Sequence, residues 1–240
     1  MKENEPASDR VVMSDQPVVD FSHLTAPEHL AAISRIENVA LVIVPESLAA
    51  AYTAIPSSGV AATIYVPDGA NVRVHTGLLV VGGDGIGAVD DVLIISGMLI
   101  ITSPVTGPLP QRIHVVGSVL APRGSEAALG PALAGSAGGV SYYTPADGQD
   151  IKVLSGQVRL SGAMLANPAG HADDMLIAAG QVVITGEVRT VGYRQVIIAG
   201  QMAAPEAYRD VIEPRTQVQG QAAWYVRDDP RVGERMARPR

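Results

Sequence analysis

Carboxylates are the side chains in this chain whose placement could do chemistry. Asp91, Asp150 and Asp174 each stand six residues before a glycine, and Asp90 and Asp173 sit beside two of them. Repeated in one register, they would gather along a single edge. Such an edge could hold Ca²⁺ through oxygen ligands, or supply the paired acids of glycan cleavage. Gln111 interrupts the series, and Asp is also a favoured turn residue. The histidines are less ordered. His75 and His114 fall two and three residues before different glycines and His171 falls in a loop, so they do not give metal ligands close together on one face. No nucleophile elbow, phosphate-binding loop or HExxH pair is present. The glycine-dense run from Gly82 to Gly87 follows a strand pattern but lacks the helix that a dinucleotide site needs, so it reads as a corner. The expectation is a protein without catalytic activity, metal or cofactor.

The elements that would position these residues follow from a period. Gly77, Gly97, Gly117, Gly156, Gly180, Gly200 and Gly220 are spaced by 20, 20, 39, 24, 20 and 20 residues, and Gly139 falls near the middle of the long gap. Positions two and four after each glycine are apolar throughout, from Leu79 and Val81 to Ala222 and Trp224, which marks one inward face of period two. Positions five and three before it supply a second inward pair, as in Val72 and Val74 or Val92 and Ile94. The polar residue six before each glycine marks a corner. A fixed period of this size predicts stacked supersecondary units. The fold class expected is all-β: a single-stranded β-solenoid, or right-handed β-helix, of about 20-residue coils, a repeat protein stacked at the roughly 4.8 Å strand spacing.

Domain boundaries follow. Residues 1–24, rich in Asp, Glu, Ser and Pro, read as a disordered tail. Residues 25–59 read as an N-terminal helical and strand cap. Within it, Thr25 and Glu28 suggest a capping box, and HLAAISRI suggests a helix through Ile36. The solenoid is expected over 60–226, with surface insertions at 121–137 and 163–174. The tail 227–240, with five arginines and three acids, is expected to be disordered.

Bulk composition narrows the partners. A net charge of −7 argues against nucleic acid, which needs a basic surface. The acidic opening MKENEPASDR does not read as a signal peptide, and the apolar stretch from Val92 to Ile101 is too short to span a bilayer. A cytoplasmic protein with no transmembrane segment is expected. Aromatic residues make up only 4%, so Val, Ile, Leu, Ala and Met must fill the core.

The units VLSGQVRLSG and IAAGQVVITG, flanked by polar tails, resemble the rungs of bactofilins, the polymerising bacterial β-helix cytoskeletal proteins. The resemblance spans roughly residues 71–226 and implies end-to-end or side-by-side assembly. Two surfaces suit such assembly. Alternation places Leu78, Val80, Leu93, Ile95, Met98 and Ile100 outward, as a candidate interaction surface. The residue after the glycine is Gln157, Gln181, Gln201 and Gln221 in the later units, and stacked amides can bond along an axis as a ladder. The preferred reading is therefore a self-assembling scaffold that binds itself or another protein. The competing reading is a glycan-binding or glycan-cleaving protein using the edge of Asp91, Asp150 and Asp174.

Overall fold

A computed structural model describes residues 11–87, 91–136 and 138–226. The strands are β1 (Val11–Ser14), β2 (Val18–Asp20), β3 (Ile33–Glu37), β4 (Leu41–Pro45), β5 (Ser57–Ser58), β6 (Ala62–Val66), β7 (Val72–Val81), β8 (Val92–Ile101), β9 (Arg112–Pro122), β10 (Leu133–Ser136) and β11 (Val140–Tyr143). After them come β12 (Ile151–Ser161), β13 (Met175–Thr185), β14 (Gln195–Pro205), β15 (Thr216–Val218) and β16 (Gln221–Tyr225). They form four separate parallel sheets: β1-β3-β5, β2-β4-β6, β7-β8-β9 continued by β10 and β11, and β12-β13-β14 continued by β15 and β16. The chain divides into two compact units after Tyr143. Among the described residues, no helix is long and apolar enough to cross a membrane.

The expected single solenoid over 60–226 is therefore incorrect, and so is the repeat-protein reading. β6 pairs with β4, whereas β7 opens a new sheet by pairing with β8. The physical reason is a face that needs covering. β8 is apolar on both sides, and strands of that kind are buried on both sides. Leu41, Ile43, Ile64 and Val66 of the N-terminal sheet lie face-on against Val72, Val74, Val92, Ile94 and Val116. Continuing edge-on would leave that apolar surface in water. A second break separates β11 from β12, where Pro145 removes a ladder donor and Gly148 turns at φ 71.

Within each long sheet the register is strict. Gly77 pairs with Gly97 and Gly97 with Gly117; Gly156 pairs with Gly180 and Gly180 with Gly200. Gly97 has φ 148, and a Cβ on it would fall on the carbonyl oxygen of Gly77. Only glycine allows both that backbone and that approach. In the long gap of the series the stacking residue is Gly138, one position before the expected Gly139: its amide donates to the Gly117 carbonyl at 2.6 Å.

The core also corrects the inward pattern. Leu99, Ile101, Val119 and Ala121 face inward, joined on the preceding half-strand by Leu93, Ile95, Ile113 and Val115. The second inward pair thus lies four and two residues before the glycine, not five and three. Alternation runs through the glycine without reversing. The second unit repeats this with Leu176, Ala178, Val182, Ile184, Val196, Ile198, Met202 and Ala204. Short helical segments close each core: Leu129 from Glu126–Ala132 in the first unit, and Leu165 from Gly162–Leu165 with Ile212 from Arg209–Ile212 in the second.

The N-terminal region differs most from expectation. Residues 11–14 and 18–20, read as part of a disordered tail, are strands, and Val19 and Phe21 are buried. Residues 1–10 and 227–240 lie outside the described residues. The helix expected through Ile36 covers only Glu28–Ala31, after Pro27 with no side-chain cap, so the Thr25–Glu28 capping box does not form. β-Branched Ile33 and Ile36 belong instead to β3 and point into the core. Asp15, Asn38 and Gly59 turn the three successive rungs in left-handed conformations, φ 55, 53 and 67, and the Asn38 side-chain amide donates to the Asp15 carboxylate at 3.2 Å.

The last described strand of each unit ends in a tyrosine that reaches back. The Tyr143 hydroxyl donates to the Ile101 carbonyl at 2.9 Å, and Tyr225 donates to Ile184 at 2.7 Å. Burial pushes the Tyr143 phenol up to about 12.

Two substitutions test this frame by urea unfolding. Gly97→Ala should cost about 3 kcal/mol or more, because strain and overlap add. Gly77→Ala, at φ 91 but with open space around it, should cost only about 1–2 kcal/mol. Equal losses would refute the close-contact account. Tyr143→Phe should cost about 1–2 kcal/mol by leaving a buried carbonyl unpaired; an unchanged unfolding midpoint would show that the hydroxyl holds nothing.

Candidate functional site

The carboxylates serve the backbone. Asp91 opens β8, and its Oδ2 accepts the Asn71 amide at 3.0 Å. Asp174 does the same one sheet later: its Oδ1 accepts the Asp150 amide at 3.1 Å. Its Oδ2 accepts the His171 amide at 2.8 Å and the Asn167 side-chain amide at 3.1 Å. The acid six before a glycine thus holds the start of the preceding rung. Asp174 is only 6% exposed, and both its oxygens are engaged. Asp91 belongs to the first unit and Asp150 and Asp174 to the second, so the predicted single edge of three does not form within either unit. Asp90 lies outside the described residues.

The histidines stay apart. His75 Nε2 lies 3.2 Å from the Leu78 carbonyl. His114 Nε2 is buried without a partner. His171 is exposed beside Asp174. Among the described residues, no group of three or more His, Asp or Glu is placed to hold a metal ion. The glycine run is a corner, with the Gly83 amide donating to Ser103 Oγ at 2.8 Å and Arg73 donating to the Ile86 carbonyl at 3.0 Å.

The candidate interaction surface is corrected in large part. Leu93 and Ile95 are core residues, because alternation does not reverse at Gly97. Ile100 is fully buried, Leu78 and Met98 are half-buried, and Val80 alone of the six is exposed, at 39%. The four glutamines do align: Gln157 pairs with Gln181, Gln181 with Gln201 and Gln201 with Gln221. Three of them are exposed and Gln181 is half-buried. Among the described residues, the side-chain amide bond nearby joins Gln195 to Gln217 at 3.1 Å, not the four glutamines to one another.

What sequence reasoning missed is the first rung. β1 pairs with β3 and β2 with β4, so among the described residues the outer edge of each strand is unpaired. Val11 and Val12 are 47% and 53% exposed there. Between the two edges opens a cleft of about 380 Å³, with Met13, Val19, Phe21, Leu24 and Ile33 inside and Asp20, His23 and His29 among its polar lining. The doublets Val11-Val12 and Val18-Val19 around Asp15 were the available signal, masked by the polar residues between them.

No known protein family, curated protein or solved structure matches the chain.

Two groups give acid sensitivity of opposite origin. Burial first, then the Arg112 charge, holds His114 below its ordinary 6.5. The fold favours the neutral ring, so this contribution is complete above pH 6.5 and declines as pH falls from there. Asp174 is held below its ordinary 3.8, first by the Asn167 amide and then by the His171 and Asp150 amides. Its contribution is present above pH 3.8 and is lost as pH falls through the depressed folded value. In urea unfolding across pH, His114→Gln should remove the first loss and Asp174→Asn the second. Identical pH profiles for both variants and wild type would contradict these assignments.

Proposed function

We propose that the protein is a structural scaffold that assembles through the open ends of its sheets, with copies of itself or with a protein partner. One observation carries the reading: among the described residues the outer edges of β1 and β2 are unpaired beside an apolar cleft, with Val11 and Val12 exposed on β1. Unpaired edges of this kind template pairing with another chain. The glycan reading has less support, because both oxygens of Asp174 are committed to the fold's own donors.

Light scattering over a concentration series, with negative-stain microscopy of the same samples, tests the scaffold. The expected result is a mass that rises with concentration and discrete assemblies on the grid. A chain that stays monomeric throughout and binds an oligosaccharide would replace this reading with the glycan one.

A further inference from the structure

Resting on the scaffold reading, the geometry points to the first rung as a two-fold interface: the cleft between β1 and β2 receives the same cleft of a second copy. β1 and β2 meet at the left-handed corner of Asp15 and are nearly equal in length, four and three residues. A two-fold axis through that corner would set β1 of one copy beside β2 of the other, running antiparallel. Both free edges would then be satisfied together.

The chemistry of the cleft favours its own copy over other occupants. Its apolar lining is one end of the N-terminal core, where Val19, Phe21 and Ile33 are buried but Met13 and Leu24 are only half-buried. Two such ends placed together would complete both. The polar lining carries an acid, Asp20, and two imidazoles, His23 and His29, all exposed. Under a two-fold, the carboxylate of each copy can accept from an imidazole of the other, so the rim is self-complementary. The opposite end of the chain is a poorer match. β16 exposes Gln221, Ala222 and Ala223, which offer little apolar area to an open cleft. A patch that complements itself closes into a dimer, whereas joining unlike ends makes an open chain.

The test uses the full chain in sedimentation and light scattering over about 1–100 µM, a span of about 3 kcal/mol in association free energy. Wild type should show a monomer–dimer equilibrium. Val11→Asp, at a half-exposed position lining the cleft, should weaken it at least tenfold while circular dichroism stays unchanged. Val226→Asp, at a residue 72% exposed near the other end, should leave it unaltered. Asp20→Lys reads the same rim and stands in if Val11→Asp does not fold. Hydrogen exchange should show the amides of β1 and β2 becoming protected as concentration rises. Self-association that survives both cleft variants, or that Val226→Asp abolishes, overturns this interface while leaving the scaffold reading standing. A wild-type chain that is monomeric at every concentration overturns both.

Discussion

The close approach of one glycine to the next is the contact on which the rest of the structure depends. At Gly97, Gly117, Gly180 and Gly200 there is no room for a side chain, because the carbonyl of the glycine one rung earlier occupies that space. This contact pins the register of every long strand. Once the glycines coincide, positions two and four on either side coincide as well, and apolar residues stack on apolar residues from rung to rung. The acid six before the glycine is then level with the opening amide of the rung before it and accepts from it. A slip of one residue would turn each strand's core side chains to the opposite face and would place a Cβ where only hydrogen fits.

The same plan is used twice. In the first unit the residues that close the core from outside the strands are Ile86, Val105 and Leu129, nine, eight and twelve residues after successive glycines. In the second unit Leu165, Val188 and Ile212 occupy the same three offsets. The acids that hold the preceding rung and the tyrosines that bond back also correspond, Asp91 with Asp174 and Tyr143 with Tyr225. What differs is the outward residue after the glycine: Leu78, Met98 and Ser118 in one unit, Gln157, Gln181 and Gln201 in the other. The inside of the plan is constrained by packing, while the outside is free to follow whatever it faces.

Much of this was legible in the sequence, because the glycine constraint acts at a fixed spacing and leaves a period. Leu99 and Val182 could be placed in the core from that period and from alternation. Three things could not be read. Whether alternation reverses at the glycine depends on how its positive φ bends the strand, so the sequence pattern alone puts Leu93 and Ile95 on the wrong face. Whether β7 extends the preceding sheet or lies against it depends on the apolar outer face being covered, a tertiary demand that spacing does not encode. The strands at 11–20 were hidden because each is only three or four residues long, and the turn between them carries Asp15, Gln16 and Pro17. For the site, the regular Asp positions were visible, but their role was not: a side chain that bonds the amide of the rung before it occupies the same place as one that would face a ligand.

The tyrosines that bond backwards supply a missing donor. Tyr143 spans two rungs to reach Ile101, and Tyr225 spans two to reach Ile184. In each case the residue level with the tyrosine on the intervening strand is a proline, Pro122 or Pro205, which has no amide hydrogen to offer that carbonyl. The loops between strands carry no such requirement, and they do vary: 24 residues separate Gly156 from Gly180 where 20 separate its neighbours. The hydroxyl therefore stands in for a donor that proline takes out of the ladder, and an amide restored at Pro122 or Pro205 would compete with the phenol for one carbonyl.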